Sequence, residues 1–203
     1  MKRLTVKGEN WGSTVEEEMV RTLQQGGVVL HPTETCYGLA VDIFNEEALQ
    51  KLYKLKKMHQ FKPVSIIVAG KEDAKRWADV TERAEELFDK FWPGPYTFLL
   101  KRDGSLPQFF CKGISKVGLR NPAYESLLHV VQKVGHPITT TSANLSGKME
   151  TYDINDFFTQ LKTVPGSIQP DLIIDGGFIG VQEPSSIYDI VEDIVVRGDM
   201  KID

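Results

Sequence analysis

Hydroxyls, amides and cations gather at four places in this chain, each time directly after a short apolar run. The first is "PTETCYGL" (32–39), behind "GGVVL"; the second is "VGLR", ending in Arg120. The third is "TSANLSG" (141–147) and the fourth "EPSSIYDI" (183–190). A lysine-rich stretch, "KLYKLKKMHQFK" (51–62), and "VVRGD" with Arg197 add cationic groups. Convergent hydroxyls and amides bind a small zwitterion, an arginine grips a carboxylate by a two-pronged contact, and lysine or arginine holds phosphate. On chemistry alone the pattern points to an amino acid or similar acid beside a nucleotide. The opening segment by itself leaves two readings open. One is a ligand site at the carboxyl end of a strand; the other is a turn whose hydroxyls cap backbone amides. The lysine stretch is likewise open between a solvated helix face and an anion site.

Several other chemistries lack their signatures. There is no GxGxxG, GxxxxGK[ST] or GxSxG, which removes the common dinucleotide, P-loop and hydrolase-elbow readings. Cys36 and Cys111 form no CxxC pair, and neither has a histidine at metal-ligand spacing, so no structural zinc is expected. Cys36 reads as a small packing residue and His31 as the end of a strand. The expectation is catalysis by positioning and charge stabilisation, with no side-chain nucleophile and no organic cofactor.

Composition narrows the setting. With 41% hydrophobic and 26% charged residues, the chain has the make-up of a globular protein rather than a disordered or membrane one. No apolar run approaches the roughly 18 to 20 residues of a membrane span, and "MKRLTVKGENWGS" lacks the apolar core of a signal peptide. A cytoplasmic protein without a membrane partner is expected. A net charge of −4 argues against coating nucleic acid through the overall field, while leaving room for a local basic cleft.

The elements that must position these groups alternate along the chain. Ser13 with Glu16 fits a capping box, followed by Val15, Met19 and Leu23 on one helical face. Gly26 and Gly27 end that helix, and a buried strand through Val28, Val29 and Leu30 runs to His31. A second helix through Ala48, Leu52 and Leu55 carries the lysines. Strands are expected at "VSIIVA", "YTFLLK", "VGLR", "PITTTS", "LIID", "SIYDI" and "IVVR", with helices between most of them. Asn121 and Pro122 look like N-cap and first turn of a helix closed by Gly135, and Asp153 caps another through Leu161. The reading is one α/β (α+β) domain over residues 1–203, without internal repeat or linker.

Four ordered motifs, "PTETCYGLAVD", "WPGPYTFLL", "VGLRNP" and "TSANLSG", resemble the YrdC/YciO superfamily of threonylcarbamoyl-AMP synthases. "GGFIGVQEPSSIYDI…VVRGD" is similar to that family's closing motif, and the resemblance covers about residues 13–200. It implies an open, twisted mixed sheet with flanking helices around a concave central groove. It also implies a nucleotidyltransferase that makes threonylcarbamoyl-AMP and pyrophosphate from L-threonine, bicarbonate and ATP, with Mg²⁺ carried on the ATP. Partner transferases then use the product to modify position 37 of tRNA, so tRNA is an indirect partner; double-stranded RNA binding is a further family association. The implied threonine contacts are Thr35, Arg120, Ser142 and Ser185, the last with Ser186 as neighbour. The implied nucleotide contacts are Lys56, Asn144, Ser146 and Arg197.

One region departs from the pattern. The family shows Lys-x-Arg, an Asn four residues later and a His five further on; here those positions hold Met58, Lys62 and Ile67. Lys57 and Lys62 are the candidates to replace the missing arginine, although lysine lacks its planar fork. Two alternatives follow: a YciO-like relative with altered or hydrolytic chemistry, and a non-catalytic nucleotide- or RNA-binding module.

Overall fold

The computed structural model describes residues 1–59 and 62–202. Ten strands form one mixed sheet: β1 (Lys2–Thr5), β2 (Val29–His31), β3 (Gly38–Ala40), β4 (Ser65–Ile67), β5 (Tyr96–Lys101), β6 (Lys116–Arg120), β7 (Ile138–Ser142), β8 (Leu172–Asp175), β9 (Ser186–Asp189) and β10 (Ile194–Arg197). Their order across the sheet is β1-β8-β2-β3-β7-β4-β6-β5-β9-β10. The helices are α1 (Ser13–Gln24), α2 (Glu46–Leu55), α3 (Lys71–Ala74), α4 (Glu82–Phe91), α5 (Glu125–Val134) and α6 (Ile154–Lys162). The expected mixed α/β sheet with flanking helices is the fold observed.

Alternation along the strands feeds two apolar layers. Leu30, Leu39, Ile66 and Ile173 join the larger core, with Leu52 of α2, Phe88 of α4 and Phe157 of α6. Their neighbours Val29, Ala40, Ile67 and Ile174 enter the smaller one, with Met19 and Leu23 of α1 and Leu127 and Val131 of α5. Successive side chains of a strand point to opposite faces, so runs such as "VVL" (28–30) and "IIV" (66–68) must be apolar throughout to be covered on both sides.

The central register sets the site. In β3 and β7, Gly38 stands opposite Ser142 and Leu39 opposite Thr141, antiparallel. β4 pairs with β6 in parallel, Ile67 against Arg120, and β5 pairs with β9 in parallel, Tyr96 against Ser186. Polar segments after β2, β6 and β7 and before β9 therefore converge on one region. Gly38 is required there by close approach: a Cβ would lie 2.9 Å from Cε1 of the buried His31 ring.

Two local expectations are corrected. Ser13 does not cap α1; Gly12 is the N-cap, at φ 77°, and no side chain bonds the first turn. Glu16 is turned inward instead, accepting from Lys133 Nζ at 2.7 Å with His129 Nδ1 at 3.1 Å, which fastens α1 to α5. Asn121 and Pro122 do not open α5 either. Tyr124 is the N-cap, because Asn121 Nδ2 donates to the carbonyl of Val68 at 2.8 Å and holds the end of β6 against the chain leaving β4. Gly135 closes α5 in the left-handed conformation as expected, and the Asp153 side chain caps α6 at the Asn155 amide.

Burial would raise the Glu16 carboxyl, but hydrogen bonds from Lys133, His129 and Ser126 outweigh it and hold its pKa below the ordinary 4.5. A carboxylate lowered in the native state adds stability above its unfolded value and loses it as pH falls through the native one. Melting temperature is accordingly expected to drop more steeply from pH 6 towards pH 3 in the parent than in Glu16→Gln, as measured by calorimetry.

Candidate functional site

The chain between β2 and β3 holds both readings of its hydroxyls at once, on different residues. Thr33 Oγ1 accepts from the amides of Thr35 (3.1 Å) and Cys36 (3.2 Å) and donates to the Cys36 carbonyl (2.7 Å), so it is the turn cap. Thr35 Oγ1 is left for other work. It accepts from a terminal nitrogen of Arg120 at 2.9 Å and lies 3.0 Å from Thr33 Oγ1. Since Thr33 spends its proton on Cys36, Thr35 donates in that pair.

Arg120 ends β6 with its side chain only 8% exposed. The same terminal nitrogen also donates to Glu34 Oε1 at 2.8 Å. Arg120 Nε, Glu34 Oε2 and His31 Nε2 are buried without a hydrogen-bond partner among the described residues. His31 is kept neutral: burial, seconded by the Arg120 charge, brings its pKa down to about 4.

The closing motif supplies a second guanidinium. Arg197 on β10 donates through Nε and a terminal nitrogen to the Ser185 carbonyl at 3.0 and 2.9 Å, and to Ser185 Oγ at 3.1 Å. Ser185 Oγ in turn lies 3.2 Å from Thr97 Oγ1 of β5. Ser186 belongs to β9 and bonds the Pro95 carbonyl through its amide.

The segment after β7 is built around a buried ammonium. Lys56, the residue that ends α2, donates from Nζ to the carbonyl of Ser142, to the carbonyl of Asn144 (3.0 Å) and to Asn144 Oδ1 (3.0 Å). Its own carbonyl accepts from the Ser146 amide at 2.8 Å. Ser142 Oγ donates to Asn144 Oδ1 at 2.7 Å. All three protons of the ammonium are thus used inside one turn, and burial brings the Lys56 pKa down to about 8.

A cavity of about 270 Å³ opens between these segments, lined by Thr35, Arg120, Ser142, Ser185 and Arg197, with Lys62 at its rim. Lys56, Asn144 and Ser146 do not line it; the first two are spent on the turn, and Ser146 Oγ sits 3.5 Å from Lys62 Nζ. Of the two candidate replacements for the missing arginine, only Lys62 reaches the cavity. Lys57, at φ 51°, turns to a separate groove beside Tyr53 and His59. Met58 packs against the larger core and Ile67 lies in the smaller one. Thr97, Glu150 and Ser65 also line the cavity and were not foreseen. Thr97 carried a signal, a hydroxyl in an otherwise apolar strand next to a Gly-Pro turn. Cys36 lines it too, its thiol pushed up by burial and so kept protonated. Among the described residues no cluster of His, Cys, Asp or Glu could hold a metal, and no helix is long and apolar enough to cross a membrane.

Comparison with known proteins bears on this geometry. A family model named for Sua5, yciO and yrdC, and described as telomere recombination, matches residues 21–198. A Methanocaldococcus jannaschii protein provisionally named threonylcarbamoyl-AMP synthase is 33% identical over 183 residues, 90% of this chain and 83% of that protein. The threonylcarbamoyl-AMP synthase of Bacillus subtilis is 32% identical over 182 residues, 86% of this chain and 49% of that one. Pyrococcus abyssi Sua5, solved in complex with L-threonine, matches with a TM-score of 0.83 at 29% identity, over 94% of this chain and 55% of its own. E. coli YciO shares the fold, with a TM-score of 0.83 at 23% identity over 97% of this chain and 95% of that one. The chain spans about half the length of the B. subtilis and P. abyssi proteins.

The Lys56 ammonium is expected to titrate near pH 8, well below an ordinary lysine, when followed by NMR of its side-chain carbons. The unfolded chain holds that proton up to about 10.5. Between these values it binds more protons than the native state, so this residue's contribution makes stability rise with pH across that window.

Proposed function

The chain belongs to the Sua5/YciO/YrdC family, and from that premise we propose that it is a threonylcarbamoyl-AMP synthase acting in the cytoplasm. The observation that carries the proposal is the single cavity onto which Thr35, Arg120, Ser142, Ser185 and Arg197 converge. Relatives of that name at 32–33% identity and a matching fold solved with L-threonine support it.

In this reading Arg120 takes the threonine carboxylate, flanked by the hydroxyls of Thr35 and Ser142. Arg197 and Lys62 face the phosphates of Mg·ATP, with Ser146 beside Lys62 and Ser185 orienting Arg197. The threonine amine attacks bicarbonate and water leaves, giving a carbamate. A carbamate oxygen then attacks the α-phosphorus and pyrophosphate departs. Each bond is made between substrates, so the protein contributes orientation and charge compensation. A protonated, buried Cys36 agrees with chemistry that needs no protein nucleophile. Lys56 serves the nucleotide indirectly, by fixing the Ser142–Asn144 turn. Transferases that consume the product, and through them tRNA, are the partners.

A second reading, a relative of the same fold with altered chemistry, draws on Met58 and Ile67, whose apolar side chains lie in the cores. The two readings separate on purified protein. A synthase releases pyrophosphate from ATP only with both threonine and bicarbonate present, and mass spectrometry detects threonylcarbamoyl-AMP. Nucleotide turnover indifferent to threonine would sink the synthase reading and favour the second. Arg120→Met is expected to raise the KM for threonine about 100-fold, the ~3 kcal/mol of a lost buried charge contact, with the KM for ATP changed far less.

A further inference from the structure

Two guanidinium groups line one cavity, and an enzyme of the proposed kind must send a carboxylate to one and phosphates to the other. Their forks fit both anions equally well, and Arg197 feels the charge of Arg120. What differs is their partners. Arg120 is paired with Glu34 at 2.8 Å, both side chains being largely buried, at 8% and 15% exposure. Arg197 bonds only the neutral carbonyl and hydroxyl of Ser185 among the described residues, with Glu150 acting on it from farther off. Glu34 does not line the cavity, although the Arg120 guanidinium that it pairs with does. Its second oxygen is buried and uncommitted, as is Arg120 Nε. Among the described residues Arg120 is the cation paired with Glu34.

From this arrangement we propose that Glu34 is a specificity-determining positioning residue. By offsetting the Arg120 charge from outside the cavity wall, it fits that end of the cavity to the carboxylate of a zwitterionic amino acid and leaves phosphate to Arg197 and Lys62. A neutral Arg–Glu pair still offers its directed N–H groups to a monocarboxylate. It gives a multiply charged phosphate much less electrostatic attraction than a lone buried cation would. Thr35, sharing the same Arg120 nitrogen at 2.9 Å, fixes the plane in which those groups are offered. The inference rests on the threonine-and-nucleotide reading of the cavity, and adds a reason why the two anions do not exchange places.

Inorganic phosphate is the probe, titrated calorimetrically into the substrate-free full chain. The parent is expected to bind phosphate at one site, lost in Arg197→Met. Glu34→Gln, which keeps the shape and removes the charge, is expected to gain a second site that Arg120→Met in the same chain abolishes. In turnover, phosphate should become competitive with threonine in Glu34→Gln and raise its apparent KM about tenfold, with kcat little changed. Glu34→Asp should restore phosphate exclusion; it also carries the comparison if Glu34→Gln melts well below the parent. Unchanged phosphate stoichiometry in Glu34→Gln, with no competition by phosphate against threonine, would overturn the proposal. So would a Glu34→Asp variant that admits phosphate like the glutamine. The calorimetric arm needs no turnover, so a chain that makes no threonylcarbamoyl-AMP would remove the synthase reading while the charge sorting is still measured.

Discussion

Gly38 opposite Ser142 and Leu39 opposite Thr141, the short antiparallel register of β3 and β7, bring the two richest polar segments of the chain together. Past the last pair the contact continues in single bonds: the Ala143 amide donates to the Tyr37 carbonyl at 2.7 Å, and the Tyr37 amide to the Thr151 carbonyl at 2.9 Å. A slip of one residue would turn every side chain of either strand to the opposite face. In the neighbouring β2–β3 pair, Gly38 faces His31 so closely that a Cβ there would lie 2.9 Å from the ring. The glycine thus ties the register, the buried histidine and the position of Thr35 into one arrangement.

Charge is the second organising element. Arg120, Arg197 and Lys62 reach a cavity of about 270 Å³, and a buried Lys56 lies just behind it. Arg120, Arg197 and Lys56 persist side by side because each has its own local compensation: Glu34 for Arg120, the Ser185 carbonyl for Arg197, and three turn oxygens for Lys56. These compensations are short-range and geometric, so they hold the groups in place without saturating their field.

Much of this was legible in the sequence, and the failures have physical causes. Continuous apolar runs and glycine punctuation marked the strands, since covering both faces of a central strand demands such runs. The site hydroxyls were legible because they interrupt those runs. What eluded the reading was partnership. Lys56 sits in a stretch of similar lysines, and nothing local says that its ammonium turns inward to three oxygens supplied from residues 142–144. Glu34 was visible within "PTETCYG", but its value depends on Arg120, far away in the chain. Ser13 and Glu16 had the spacing of a cap, yet Glu16 found stronger donors on α5. Local patterns compete with tertiary partners, and a buried carboxylate goes to the cation.

Strand order also carries a consequence for how the molecule is made. β1 pairs with β8, and the Arg3–Asp175 ion pair that joins them spans 172 positions of sequence. β2, too, has β8 as one neighbour, and Arg197 rides on β10 at the far edge of the sheet. A ribosome therefore releases most of the chain before either half of the sheet has its full complement of strands. During that interval the β2 edge lacks its β8 neighbour and the second guanidinium has not been synthesised. Of the cations that reach the cavity, Arg197 is thus the last to be made, and the cavity is complete only once both edges of the sheet are in place.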